Sequence, residues 1–427
     1  MLYFKLLLLT ETLLIFGLAW VRNPDPFSPV KFYLVFSIFF YLAIYFQDVR
    51  VETLLCYFVL IQAIAVCVFL EKRIIRQVVV VGEKDGVLIN RIVWLLTIPP
   101  VVTMLYYVYD AGGVSQYFGV LARRVEAWKG HGAMTVLLNT LPVLNLVYFG
   151  SVVSTRKTNR KQLILYGLHF IIFVTIGLLT ASRSYIGISI LGMCVVWAYL
   201  VRVPRLRHLF MTSLVLILFA GFMGGVRNNY QDRMTIDSAK KILGHAKFET
   251  AQMGYGVSPL EVIFDSPEIV YMWGETYLTL ITNMVPRTIW PEKPDTAGVI
   301  FTREYTADQT GLSYFATGAV TEAIMNFGKP FGILFGLTSN FLLLISGSIL
   351  YNRYICGNAR DGQRVSLLLI VGFYYFVLSI SKFSYGEFTD IFQTLVFFNL
   401  PPLALILGGL HFGRTRKLPT LNAAVSF

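Results

Sequence analysis

Apolar stretches of about 18 or more residues recur along the whole chain, from Tyr3 to Phe412, and a run of that length suits an α-helix crossing a bilayer. They fall at about 3–21, 30–47, 53–70, 92–109, 133–153, 162–181, 184–201, 208–226, 330–351, 365–381 and 391–412. Only 14% of the 427 residues are charged, against about 25% in soluble proteins. That deficit, with 56% hydrophobic residues and a mean hydropathy of +0.64, excludes soluble enzymes, nucleic-acid binders and disordered chains. The expected fold is an all-α polytopic membrane protein with about eleven transmembrane helices, within a range of ten to twelve, and one large external loop.

Lys and Arg in alternate connections set the orientation. One set, including Lys72, Arg73, Arg156, Arg202, Arg205, Arg207 and Arg414, totals twenty, and the opposite short loops hold six. The richer set belongs in the cytoplasm, with the C-terminus. The formal net charge of +12 is thus mostly a topological signal and calls for no nucleic-acid partner. Three parts follow: helices 1–8 over 1–226, a large loop with interfacial or re-entrant segments over 227–329, and helices 9–11 with a cytoplasmic tail over 330–427. The loop is expected outside, in the periplasm of a Gram-negative host.

The first apolar run lacks a basic leader and a small-residue cleavage site, so it reads as a retained helix. Cys56, Cys67, Cys194 and Cys356 form no CxxC pair, which argues against a disulfide framework or a zinc site. GxxxG spacings at Gly221/Gly225, Gly328/Gly332 and Gly332/Gly336 suit close helix packing. Pro99–Pro100 and Pro401–Pro402 are expected to kink their helices.

Phosphate-loop, dinucleotide, HExxH and DxD motifs are all missing, and His245 is the lone histidine of the large loop. No metal and no cofactor are therefore expected. Basic residues on the outward side remain, against the topological bias. Arg183 sits in the tight turn Thr180–Tyr185, with Tyr185 beside it as a further substrate contact. Arg227 follows an outward-going span, Arg287 and Lys293 share the proline-rich stretch 285–294, Arg303 follows, and Lys382 ends a later span. Arginine's donor fork suits phosphate, and several such cations at a membrane surface suit a diphosphate. The bland alternative is lipid contact or pairing with the eleven acids of the 227–315 loop.

Glu322 lies in the run 316–328, apolar but broken by Gly328 and Pro330, where a twelfth span or a re-entrant segment is possible. Desolvation there would raise its proton affinity, as a general base near neutral pH requires; an ion pair is the alternative. Glu275, Asp295 and Glu387 are weaker candidates. The segment Ile269–Val285 reads as an interfacial helix, with Tyr271, Trp273 and Tyr277 either stacking on sugars or anchoring at the headgroups.

Pro-Arg-x-x-Trp-Pro-x-Lys-Pro at 286–294, Thr-Glu-Ala-x-x-Asn-Phe-Gly at 321–328, Ala-Ser-Arg-Ser at 181–184 and the helical pair around Lys382–Glu387 resemble the Wzy-type oligosaccharide repeat-unit polymerases. These enzymes assemble O-antigen, enterobacterial common antigen or exopolysaccharide. The resemblance implies a multi-pass protein of the bacterial inner membrane that acts on undecaprenyl-diphosphate-linked oligosaccharides. A growing glycan would pass from its lipid diphosphate to a new lipid-linked repeat unit. It further implies Arg183 and Arg287 as the catalytic clamp on the diphosphate, with Lys293 beside them; Glu322 is the expected catalytic base by position and environment more than by motif, and Arg227, Arg303, Lys382 and Tyr185 are further expected substrate contacts. An arginine is expected in some relatives near Lys382, so this lysine departs from the pattern. Membrane lipids and a chain-length regulator are the implied partners. Two other classes are the alternatives: an O-antigen ligase-type transferase, which shares the layout and for which His245 is the one candidate histidine in the loop, and a lipid-linked oligosaccharide flippase, which the few mid-span charges and the long loop disfavour.

Overall fold

The structure, a computed structural model, describes residues 1–73, 83–120, 132–155, 159–180, 182–205, 207–208, 211–212, 254–285, 287, 289–306, 315–357 and 366–415. Within them the chain is helical, with no strand. The first eight helices are α1 (Leu2–Arg22), α2 (Pro29–Phe40), α3 (Val51–Leu70), α4 (Glu83–Asp110), α5 (Val114–Val120), α6 (Gly132–Ser154), α7 (Arg160–Leu179) and α8 (Arg183–Leu200). Four short ones follow: α9 (Ser258–Asp265), α10 (Glu275–Thr282), α11 (Ala297–Tyr305) and α12 (Gly318–Phe327). The last are α13 (Lys329–Leu350), α14 (Leu367–Lys382), α15 (Phe388–Gln393) and α16 (Leu400–Thr415). Among the described residues, seven helical stretches are long and apolar enough to cross a membrane. Three shorter apolar helices, at Pro29–Phe40, Ser184–Leu200 and Leu367–Lys382, stand among them. The expected span at 208–226 lies outside the described residues apart from 208, 211 and 212.

Local chemistry fixes the helix ends. Asn159 and Gln162 close a reciprocal capping box at the start of α7, and Ser366 accepts from the Leu369 N–H at the start of α14. Of the helices long enough to cross a membrane, α6 is the most buried, and its Val143, Leu144, Leu146, Val147 and Tyr148 pack with residues of α4, α8, α14 and α16 in the largest core cluster. A second cluster joins α1, α2 and α3 to α9, α11, α12 and α13.

At one end of the bundle a buried polar network ties the α1–α2 connection to α3, α8 and α13. Asp25 accepts from the Tyr199 and Tyr351 hydroxyls at 2.7 and 2.8 Å, and Glu71 accepts from the Val30 N–H at 2.8 Å. Lys31 is spent on the carbonyls of Asn23 and Asp25. At the other end, the described residues of 254–327 form a cap. Its α9 carboxylate Glu261 accepts from the Arg50 N–H at 3.1 Å, Gly256 N–H donates to Phe40 O at 3.0 Å, and Lys329 reaches the carbonyls of Phe264 and Ser266 at 3.3 Å.

Two expectations need correcting here. Ile269–Val285 is not one interfacial helix: only Glu275–Thr282 is helical. Before it the backbone is left-handed at Trp273 (φ 47°) and Gly274 (φ 89°), which stops the helix from extending toward Ile269. Of the two alternatives for 316–328, the twelfth span does not form: its helix α12 has ten residues, about 15 Å of rise, half of a hydrocarbon core of about 30 Å, a length that leaves the re-entrant alternative standing. It turns at Gly328 (φ +82°) and folds back along α13, where Gly332 and Gly336 allow backbone contact.

Candidate functional site

A cavity of about 400 Å³, lined by polar and apolar side chains, opens at the capped end of the bundle. It is lined from α6 by Thr135, Asn139 and Pro142, and from the start of α8 by Ser182, Ser184, Tyr185 and Ile188. Tyr375, Leu378, Ser379 and Lys382 of α14 line it too, as do Asp390 and Ile391 of α15 and the π-helical turn Thr394–Asn399.

The sequence builds these walls by interrupting its own helices. Pro142 lies inside α6 and has no N–H, so the carbonyl four residues earlier, Leu138 O, loses its helical donor. The buried Tyr185 hydroxyl takes that place, donating to Leu138 O at 2.8 Å, and so fixes the first turn of α8 against α6. Pro401 and Pro402 likewise remove two donors just after the widened turn at 394–399, which presents Thr394, Phe398 and Asn399 to the cavity. Turns of this kind inside a helix recur at functional sites.

Lys382 ends α14 half-buried, and Asp390 is exposed to the cavity. Neither forms an ion pair or a side-chain hydrogen bond among the described residues, although each charge acts on the other. Two uncommitted charges of opposite sign at the edge of an apolar bundle can hold an anion and accept a proton. Arg183 opens α8 between the cavity residues Ser182 and Ser184. Its side chain lies outside what the structure describes.

The connection between Lys382 and Asp390 is braced from several sides. Tyr41 donates to Ser384 O at 2.9 Å, Glu387 accepts from the Gly298 N–H at 2.6 Å, and Thr389 donates to Thr276 O at 2.9 Å. Glu322 is the centre of this bracing. Fully buried, it accepts from the Phe388 N–H at 2.7 Å and from the Thr276 hydroxyl at 2.8 Å; Thr276 in turn accepts from Asn326 at 2.7 Å. It thus holds the first turn of α15, two residues before Asp390, and has no ion-pair partner among the described residues. Burial pushes its carboxyl up to about 7, against the two hydrogen bonds that favour the charged form.

That shift has a consequence for stability. The folded protein keeps the proton of Glu322 up to about pH 7, whereas an unfolded glutamate loses it near 4.5. The folded state therefore binds more protons between these values, and stability falls as pH rises from 4.5 to about 7. The contribution is on the order of 3 kcal/mol. Melting in detergent across this range is expected to show the decline, and Glu322→Gln is expected to flatten it; an equal slope in both proteins would refute the assignment.

The cations of 285–305 do not meet in the cavity lining. Arg287 donates to Pro291 O at 2.8 Å, to Lys293 O at 3.3 Å and to Asp295. Asp295 also pairs with Arg303 at 3.2 Å, and Arg303 bonds Glu304 at 2.8 Å. Lys293 donates to the carbonyls of Val285 and Asn283 at 2.8 and 3.2 Å, closing the chain that leaves α10. Burial, and then the neighbouring Arg287 charge, lower its proton affinity. Of the residues singled out from the sequence, Tyr185 and Lys382 line the cavity, joined in the chain by Arg183. Arg227 and His245 lie outside the described residues.

Asp390, Asn139 and Asn399 escaped the sequence reading. For Asp390 a signal existed: it is an acid at the mouth of a 25-residue apolar stretch, Phe388–Phe412, where an ionisable residue is costly. No group of three or more metal-ligating side chains occurs among the described residues. No family model, curated protein or solved structure matches the chain.

Proposed function

We propose that the protein is a membrane polysaccharide polymerase that extends glycans on undecaprenyl diphosphate. The observation that carries this reading is the cavity holding Lys382 and Asp390 uncommitted beside the Arg183 turn. The reading includes eleven spans, residence in a bacterial inner membrane, a cytoplasmic C-terminus and the capped end facing outward. An outward site has no nucleotide sugar at hand, so the donor must carry its own activation, and a lipid diphosphate does. The acceptor hydroxyl oxygen of a new repeat unit attacks the anomeric carbon of the growing glycan. The bond from that carbon to the diphosphate breaks, its electron pair leaves with undecaprenyl diphosphate, and the hydroxyl proton passes to a carboxylate.

Asp390 takes that proton in this scheme, and Lys382 with Arg183 offsets charge on the departing diphosphate. Glu322, sealed and with both oxygens engaged, serves as a positioning residue for Asp390. Arg287 could join the anion only by giving up Asp295. The pair is half-exposed and worth about 1 kcal/mol or less. If Arg287 only closes the 287–295 turn, Arg287→Ala and Asp295→Ala are expected to reduce polymer to the same small extent. Loss of polymer in Arg287→Ala alone would instead put the guanidinium on the diphosphate.

Purified protein given a synthetic undecaprenyl-diphosphate repeat unit, and no other enzyme, tests the activity itself. A gel ladder of higher multiples is expected. A folded protein that yields no ladder with its native repeat unit and a chain-length regulator supplied would overturn the reading.

A further inference from the structure

We infer that the basic end of α8 carries a binding site for an anionic phospholipid. This site is separate from the Lys382 cavity: α8 has 18 residues, so its two ends stand about 27 Å apart. A cavity of about 640 Å³ lies along its second half and the chain that follows. Its trough is apolar, with Ile190, Met193, Cys194 and Trp197 recurring at helical spacing and Phe149 of α6 stacked on Trp197 at 6.5 Å. Its rim is basic: Arg202, Arg205 and Arg207 are exposed, and His208 stands beside them.

Among the described residues no acid lines this cavity and none of the three arginines forms an ion pair. Charges placed only to orient the chain need no shape behind them. Here the guanidinium groups stand over a trough that runs from the helix end into the bundle's apolar zone. A phosphate headgroup answers the rim, and an acyl chain answers the trough. A soluble phosphate would satisfy the rim and leave the trough uncovered, so the lipid is the occupant that uses both. The inference does not depend on the polymerase reading, since neither Asp390 nor Lys382 takes part.

Trp197 reports on its own site. The full chain is reconstituted in phosphatidylcholine vesicles containing equal shares of brominated phosphatidylglycerol or brominated phosphatidylcholine. The Trp197 signal is taken as the difference between the unaltered chain and Trp197→Phe. Brominated phosphatidylglycerol is expected to quench it at least twofold more than brominated phosphatidylcholine. In the triple variant Arg202→Gln, Arg205→Gln, Arg207→Gln the two lipids are expected to quench equally. Equal quenching in the unaltered chain would overturn the inference without recourse to any variant, and so would undiminished selectivity in the triple variant. Equal quenching by the two brominated lipids, together with a change in Trp197 emission on adding glycerol 3-phosphate, would assign the rim to a soluble phosphate and overturn the lipid.

Discussion

Asp390→Ala is expected to abolish the polymer ladder, lowering the rate of chain extension at least a hundredfold, the usual worth of a positioned general base. Its melting temperature is expected to stay near that of the unaltered protein. The reason is structural: Asp390 is exposed to the cavity and has no hydrogen-bond or ion-pair partner among the described residues, so removing it strands no donor and costs only its longer-range attraction to Lys382. Lys382→Ala is expected to lower kcat and kcat/KM together, because charge on the leaving diphosphate grows in the transition state. Lys382→Arg keeps the charge and is expected to restore part of the rate. Glu322→Ala provides the contrast. It strands the Phe388 N–H and the Thr276 hydroxyl, so it is expected to lose stability by about 1–3 kcal/mol as well as activity. A normal ladder from Asp390→Ala at normal protein levels would remove this carboxylate from the reaction.

The contrast shows which parts of the site could be read from the chain and which could not. Lys382 stood out because it breaks a local rule, a charge at the end of a long apolar run, and Tyr185 came in as the neighbour of Arg183; both line the cavity. Glu322 stood out for the same reason, and its desolvated setting follows from its apolar neighbours. What its carboxylate bonds to depends on α10 and α15, 46 and 66 residues away, and no local pattern encodes that. For Arg287 the chain left open both anion binding and pairing with a loop acid, and which acid it meets, Asp295 eight positions on, is set by the fold. The link from Pro142 through Leu138 O to Tyr185 needs two helices placed side by side before the orphaned carbonyl has a meaning. Helices were legible because bilayer length and apolar content set them. Pairing was not, because the hydroxyls, amides and carboxylates that decide it are short-range groups brought together by the fold.

Gly332→Leu is expected to be the most damaging single change in the bundle. A Cβ at Gly332 would stand 2.4 Å from Ile324 Cα and 2.5 Å from Ala323 O, and these are backbone atoms that cannot rotate away. The α12–α13 hairpin would have to open, and with it the seat of Glu322, since α12 carries both. Overpacking of this kind costs about 3 kcal/mol, and a leucine adds three more carbons to the clash. Even Gly332→Ala is expected to lower the melting temperature and the polymer yield together. Gly17→Ala is the control: it lies inside α1 with nothing within 4 Å of the added Cβ, so the gain in helix propensity should leave the protein unchanged or stabilised by up to about 1 kcal/mol. Both exchanges add one methyl group to a helical glycine, so only the neighbour differs. Were Gly332→Ala as harmless as Gly17→Ala, the close approach of α12 to α13 would be wrong, and the route by which Glu322 fixes Asp390 would fall with it.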